Sequence, residues 1–108
     1  MDVKQMIEET GKTWHFTKGA GYSDREMELQ YLALAVGAEA GELQNLVKKM
    51  VRRKHHTEGH SSDGLEKDVP HEMIDVLYYI FRMADLLEID LEKAFTEKME
   101  INRARYNK

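Results

Sequence analysis

The sequence contains no cysteine and only one proline among 108 residues. Without cysteine there is no disulfide framework and no thiolate metal site, so any metal must take oxygen or imidazole ligands, and the composition fits a reducing, cytoplasmic setting. With one proline and no alternating apolar and polar runs bounded by turn pairs, no stretch reads as a strand. Nothing approaches the roughly 18 uninterrupted apolar residues of a membrane span, and the opening MDVKQMIEETGK has no apolar signal region. A soluble, untargeted, cytoplasmic chain is expected, with no membrane partner. A net charge of -4 argues against a broad surface for a nucleic acid polymer. The basic run Lys48, Lys49, Arg52, Arg53 and Lys54 reads as a solvated, dipole-favoured helix end.

What is present is helix punctuation. Charged residues interleave with Leu, Met, Ala and Ile at helical spacing, predicting an all-α bundle of about four helices in a single domain, residues 1–108. The first runs from about Asp2 to Thr13, and HFTKGAGYS follows as a loop. Ser23, with Glu26 as capping-box partner, opens a second that reaches about Lys54. The segment 55–68, HHTEGHSSDGLEKD, breaks the helix with glycine, serine and charge and reads as a mobile loop. His55, His56 and His60 within it are better explained by a hydrophilic loop than by a metal tract. Asp68 or Val69 caps the third helix, since Pro70 suits a first turn, and that helix continues to about Leu87. Asp90 caps the fourth. A domain of this length buries only a modest core, so partner subunits would help it.

The stretch AVGAEAGEL, residues 35 to 43, disturbs this pattern. At about 100° per residue, Leu32, Leu46 and Met50 fall within about 20° of Glu39, and Glu42 lies about 60° away, so both glutamates sit on the apolar stripe. An unpaired buried carboxylate costs several kcal/mol, about 2–7 for a polar group alone, or else protonates. Gly37 and Gly41 each weaken the helix by roughly 0.5 to 1 kcal/mol relative to alanine, tolerable where something approaches closely. The third helix offers the counterpart. It is apolar nearly all round, which places it centrally, except for a seam of Glu72, Asp75, Tyr79 and Arg82 spanning about 80°. Four converging carboxylates need a cation, and all-oxygen ligation favours Mg²⁺, with Mn²⁺ as a substitute. A di-iron site would expect Glu-x-x-His pairs, and neither Glu39 nor Glu72 has a histidine three residues on.

These residues carry a resemblance. EAGE (Glu39 to Glu42), EMIDVLYYI (Glu72 to Ile80) and EIDLEKAFTEKMEINRARY together resemble the MazG-type all-alpha nucleoside triphosphate pyrophosphohydrolases, over roughly residues 28 to 106. Glu88 stands where many members have glycine, and the 55–68 loop is a further departure. The resemblance implies a homodimer or homotetramer that hydrolyses (deoxy)nucleoside triphosphates to the monophosphate and pyrophosphate with Mg²⁺, in nucleotide pool control. Glu39, Glu42, Glu72 and Asp75 would be both its metal ligands and its catalytic residues. For Glu39 two roles stand, general base and pure ligand.

On the fourth helix Lys98, Asn102 and Arg105 fall within about 60° of one another, offering an ammonium, an amide and a guanidinium to phosphate and sugar oxygens, from the same or a neighbouring subunit. A solvated helix end is the other reading. Trp14, His15 and Tyr79 are the candidate nucleobase-binding residues, with Trp14 and Tyr79 flanking the base; Trp14 and Phe16 read equally well as core. The alternative function is a non-enzymatic helical interaction module whose acidic seam pairs with a partner's basic groups or with Arg82. Mg²⁺ and a deoxynucleoside triphosphate raise the melting temperature together only in the enzyme.

Overall fold

In the computed structural model, residues 1–16, 25–56 and 63–106 are described. They form α1 (Val3–Thr13), α2 (Arg25–His56), α3 (Asp63–Glu66), α4 (Val69–Leu86) and α5 (Leu91–Tyr106), with no strand among them. The all-α expectation holds, with four long helices and one additional turn. Asp2 caps α1 in a full capping box, its Oδ1 accepting from the Gln5 backbone N–H at 2.8 Å while Gln5 Oε1 accepts from the Asp2 N–H at 2.8 Å. Asp68 is the N-cap of α4, without a side-chain cap bond, and Pro70 lies in the first turn where its missing N–H has no cost. Asp90 Oδ1 accepts from the Lys93 N–H at 3.1 Å at the start of α5. The cap assigned to Ser23 lies outside the described residues.

The segment 55–68 is not wholly loop. Helix α2 continues to His56, and Asp63–Glu66 form the single turn α3, which packs on α2. Glycine and serine density marked a break in the long helix, but propensity cannot exclude one turn docked on a neighbour.

The central pair is α2 with α4, and they run antiparallel. Arg25 Nη2, at the start of α2, donates at 3.1 Å to the Leu86 carbonyl at the end of α4. This supplies a partner to a carbonyl that the helix end leaves unpaired. Fourteen residues along α2 and fourteen back along α4, Glu39 meets Glu72. Helix α1 lies against α4, fastened by polar bonds. Arg82 Nη1 donates to the Ile7 carbonyl at 3.3 Å and to Thr10 Oγ1 at 3.2 Å, and Nη2 pairs with Asp85 at 2.6 Å. Gly11 makes room for this: a Cβ there would stand 3.1 Å from Arg82 Nη1.

Helix α4 ends in a Schellman motif. The Ile89 N–H bonds the Ala84 carbonyl at 2.9 Å and the Glu88 N–H bonds the Asp85 carbonyl at 3.2 Å, with Glu88 in the left-handed region at φ 55°. Glycine is the usual residue there, and a side chain costs roughly 1–2 kcal/mol. Glu88→Gly is therefore expected to stabilise the fold by up to about 1 kcal/mol, after the entropy that glycine adds to the unfolded chain. A urea midpoint that falls in this variant would contradict that assignment.

The core is small. Among the described residues only the apolar side chains of Leu32, Phe81 and Ala84 are buried. The radius of gyration is 17.8 Å, against about 13 Å for a compact chain of this length. Helix α4 is central only in its second half, where Phe81 and Ala84 are buried; Met73, Ile74 and Leu77 nearer its start remain exposed, as do Leu34, Val47 and Val51 of α2 and Phe95 and Ile101 of α5. No helix among the described residues is long and apolar enough to cross a membrane.

Candidate metal centre and aromatic cleft

Helices α2 and α4 bring three carboxylates together. One oxygen each from Glu39, Glu72 and Asp75 lies within 4.8 Å of the others. The geometry follows from the two patterns: i, i+3 spacing puts Glu72 and Asp75 on one face of α4, and the antiparallel register sets that face against Glu39. Glu42, one turn along from Glu39, stands beside it as a hydrogen-bonding neighbour and is exposed. The fourth member of the expected set is thus adjacent to the three-way group.

The electrostatics are unfavourable for anions alone. Glu39 is half-buried, and its pKa is raised above the ordinary carboxylate value of 4.5, first by desolvation, then by the charge of Glu42 and a hydrogen bond with it, then by Asp75 and Glu72. Glu72 Oε2 is buried and has no hydrogen-bond partner among the described residues. A buried acceptor left unpaired costs about 1–3 kcal/mol, and more when charged. These groups fit a hard divalent cation. Around an octahedral Mg²⁺ with bonds of about 2.1 Å, ligand oxygens stand about 3.0 Å apart when adjacent and about 4.2 Å when opposite, so the three oxygens, now within 4.8 Å of one another, would draw together on a shared ion.

A cleft of about 470 Å³ opens beside this group, lined by Thr13, Trp14, His15, Glu39, Asp75, Tyr78 and Tyr79. All three expected nucleobase contacts therefore share a wall with two of the carboxylates. Trp14 meets Tyr79 edge to face, centroids 6.1 Å apart at 87°, and Tyr78 at 6.4 Å and 63°. The Tyr79 phenol is held neutral further into the alkaline range than usual, mainly by burial, then by the neighbouring Tyr31, Glu39, Tyr78 and Asp75. Thr13 and Tyr78 were not singled out by sequence reasoning. Tyr78 is tied by its hydroxyl to Thr13 Oγ1 at 2.8 Å and to the Thr10 carbonyl at 3.3 Å, so it anchors α1 on α4. Its neighbour Tyr79 was the only available signal.

Other expectations are redistributed. Arg82 does not continue the seam toward α2, because its guanidinium is committed to α1 and Asp85. Self-pairing of the acidic group with Arg82 is thereby removed. Among the described residues nothing approaches Gly37 or Gly41 closely, since a Cβ at either meets nothing within 4 Å. Lys98, Asn102 and Arg105 lie on α5, which packs against α1, and none of them lines the cleft. Lys98 and Arg105 are exposed and Asn102 is half-buried.

The chain is 34% identical over 71 residues to the Gene 37 protein of Mycobacterium phage L5, a stretch that makes up 66% of this chain and 60% of that protein. The match thus spans less than two thirds of the relative's length, and the relative's name states no activity. No family model and no solved structure matches the chain.

Proposed function

We propose that this chain is a divalent-cation-dependent pyrophosphohydrolase that cuts (deoxy)nucleoside triphosphates to the monophosphate and pyrophosphate. The observation that carries the reading is the convergence of Glu39, Glu72 and Asp75 beside an aromatic cleft that they help to line. An acidic group of this kind attracts triphosphate only through a cation, and the aromatic wall matches the one part of a nucleotide that is planar and weakly hydrated.

In this reading Glu39, Glu72 and Asp75, with Glu42 alongside, hold Mg²⁺ or Mn²⁺. The ion, when bound, lowers the pKa of water and offsets charge on the phosphate oxygens. Glu39 is the carboxylate best suited to take a proton from the water that attacks the α-phosphorus, because burial and its acidic neighbours raise its basicity. Trp14, His15 and Tyr79 orient the nucleoside so that this phosphorus lies near the carboxylates. Lys98, Asn102 and Arg105 bind the departing pyrophosphate oxygens from a neighbouring subunit, which the exposed apolar surface of α2, α4 and α5 invites. The assembly is a homodimer or homotetramer.

Hydrolysis in ¹⁸O-water tests the reaction. Label is expected in the nucleoside monophosphate. Label in pyrophosphate would place the attack on the β-phosphorus, and orthophosphate with a diphosphate product would replace the assignment with another hydrolase class.

A further inference from the structure

Trp14 separates two compartments. On one side is the acidic cleft; on the other lies a second cleft of about 520 Å³, lined by Trp14, His15, Phe16, Met27, Gln30, Tyr31 and Leu34. Trp14 and His15 belong to both, so the compartments adjoin.

The ring geometry differs between them. On the acidic side Trp14 meets Tyr78 and Tyr79 edge-on, and those two meet each other at 80° and 5.3 Å. On the other side Phe16 lies within 17° of the Trp14 plane at 6.2 Å, and Tyr31 stands at 6.0 Å and 41°. Tyr31 is 51% exposed and Leu34 71% exposed, so this compartment presents apolar surface to solvent. A stacked ring would cover it.

Two polar side chains stand where such a ring would need them. Trp14 Nε1 donates to Glu28 Oε1 at 2.8 Å, and this bond to a carboxylate oxygen fixes the rotation of the indole between its two compartments. Glu28 is half-buried one turn before Leu32, the fully buried residue of α2, so its backbone is held firmly. Gln30 is exposed at the rim of the second cleft, and its amide offers a donor and an acceptor side by side, the pairing that reads a base edge.

Resting on the pyrophosphohydrolase reading, we infer that Glu28 is a positioning residue that sets the Trp14 wall for a nucleobase stacked in the second compartment, and that Gln30 determines base preference there. Tyr79 then braces Trp14 and faces the sugar and phosphates.

Trp14 is the only tryptophan in the chain, so indole fluorescence reports this site alone. Titration with the four deoxynucleoside monophosphates is expected to quench it saturably, whereas inorganic pyrophosphate with Mg²⁺ leaves it unchanged. Glu28→Ala should weaken that quenching and raise KM by about tenfold or more, the size of a lost stacking contact, with kcat changed much less. Glu28→Gln, which keeps an acceptor, should restore most of both. Gln30→Met, at an exposed position that folding does not depend on, should reorder the four bases. An unchanged order in Gln30→Met, or undiminished quenching in a folded Glu28→Ala, would overturn the inference. Quenching by monophosphates in a protein that releases no pyrophosphate from any triphosphate would uphold the base site while removing the proposed reaction.

Discussion

Glu72→Gln and Asp75→Asn are each expected to lower pyrophosphate release by at least about a hundredfold and to weaken Mg²⁺ binding in parallel, since even outer-shell partners of metal ligands cost about 10–100-fold. Both residues supply an oxygen to the three-way group, and the amide removes the charge while keeping the shape. Glu39→Gln should be equally inactive yet stabilise the metal-free fold. Its raised pKa means that the folded, metal-free protein holds a proton that the unfolded chain releases. Stability without metal therefore falls as pH rises from the ordinary carboxylate value of 4.5 through the raised one. Glu39→Gln should flatten that slope and raise the metal-free melting temperature at neutral pH. Added Mg²⁺ should stabilise the unmodified protein there and not the variant, and its effect should fade as pH falls and protons compete for the same oxygens. Calorimetric melts across pH, with and without Mg²⁺, measure all of this. Equal stabilisation of Glu39→Gln by Mg²⁺ would remove Glu39 from the ligand set.

Replacing Ile74 and Leu77 together by aspartate should convert the assembly to monomers and abolish activity without touching a carboxylate of the site. Ile74 is 56% exposed and Leu77 37% exposed, on the same stripe of α4 as the buried Phe81 and Ala84 but nearer the start of the helix. Burying such a side chain contributes about 1.5–3 kcal/mol, so losing two weakens association by roughly 3–6 kcal/mol, or about 10² to 10⁴ in dissociation constant. Activity should fall with the oligomer because Lys98, Asn102 and Arg105 do not reach the cleft from their own chain. Sedimentation velocity beside a pyrophosphate assay separates the outcomes. A fully active monomer, unmodified or doubly substituted, would end the proposal that a second subunit completes the site.

Local readings succeeded where the physics is local. The cap at Asp90 and the first-turn Pro70 each involve groups within a few residues, and wheel geometry correctly put Glu39 on a stripe that turns inward. The same reasoning misplaced Arg82, because angular position on a helix does not say which of two packed neighbours a long side chain will choose. Gly11 decided that choice: without a Cβ on α1, the guanidinium fits beneath the Ile7 and Thr10 acceptors. Propensity likewise missed the turn at Asp63–Glu66, whose support comes from α2 and not from its own sequence.

The sequence by itself determined the four long helices, the caps at Asp68 and Asp90 and the two acidic pairs, because hydrophobic period and hydrogen bonding act over one or two turns. Tertiary structure decided which pairs meet. The antiparallel register that joins Arg25 to Leu86 also sets Glu39 against Glu72, and packing of α1 on α4 turns Trp14 into a partition between two clefts. Those outcomes depend on contacts between residues far apart in the chain, which periodicity cannot encode. It also left Met73, Ile74 and Leu77 uncovered on a helix whose composition reads as central, burying Phe81 and Ala84 further along it instead.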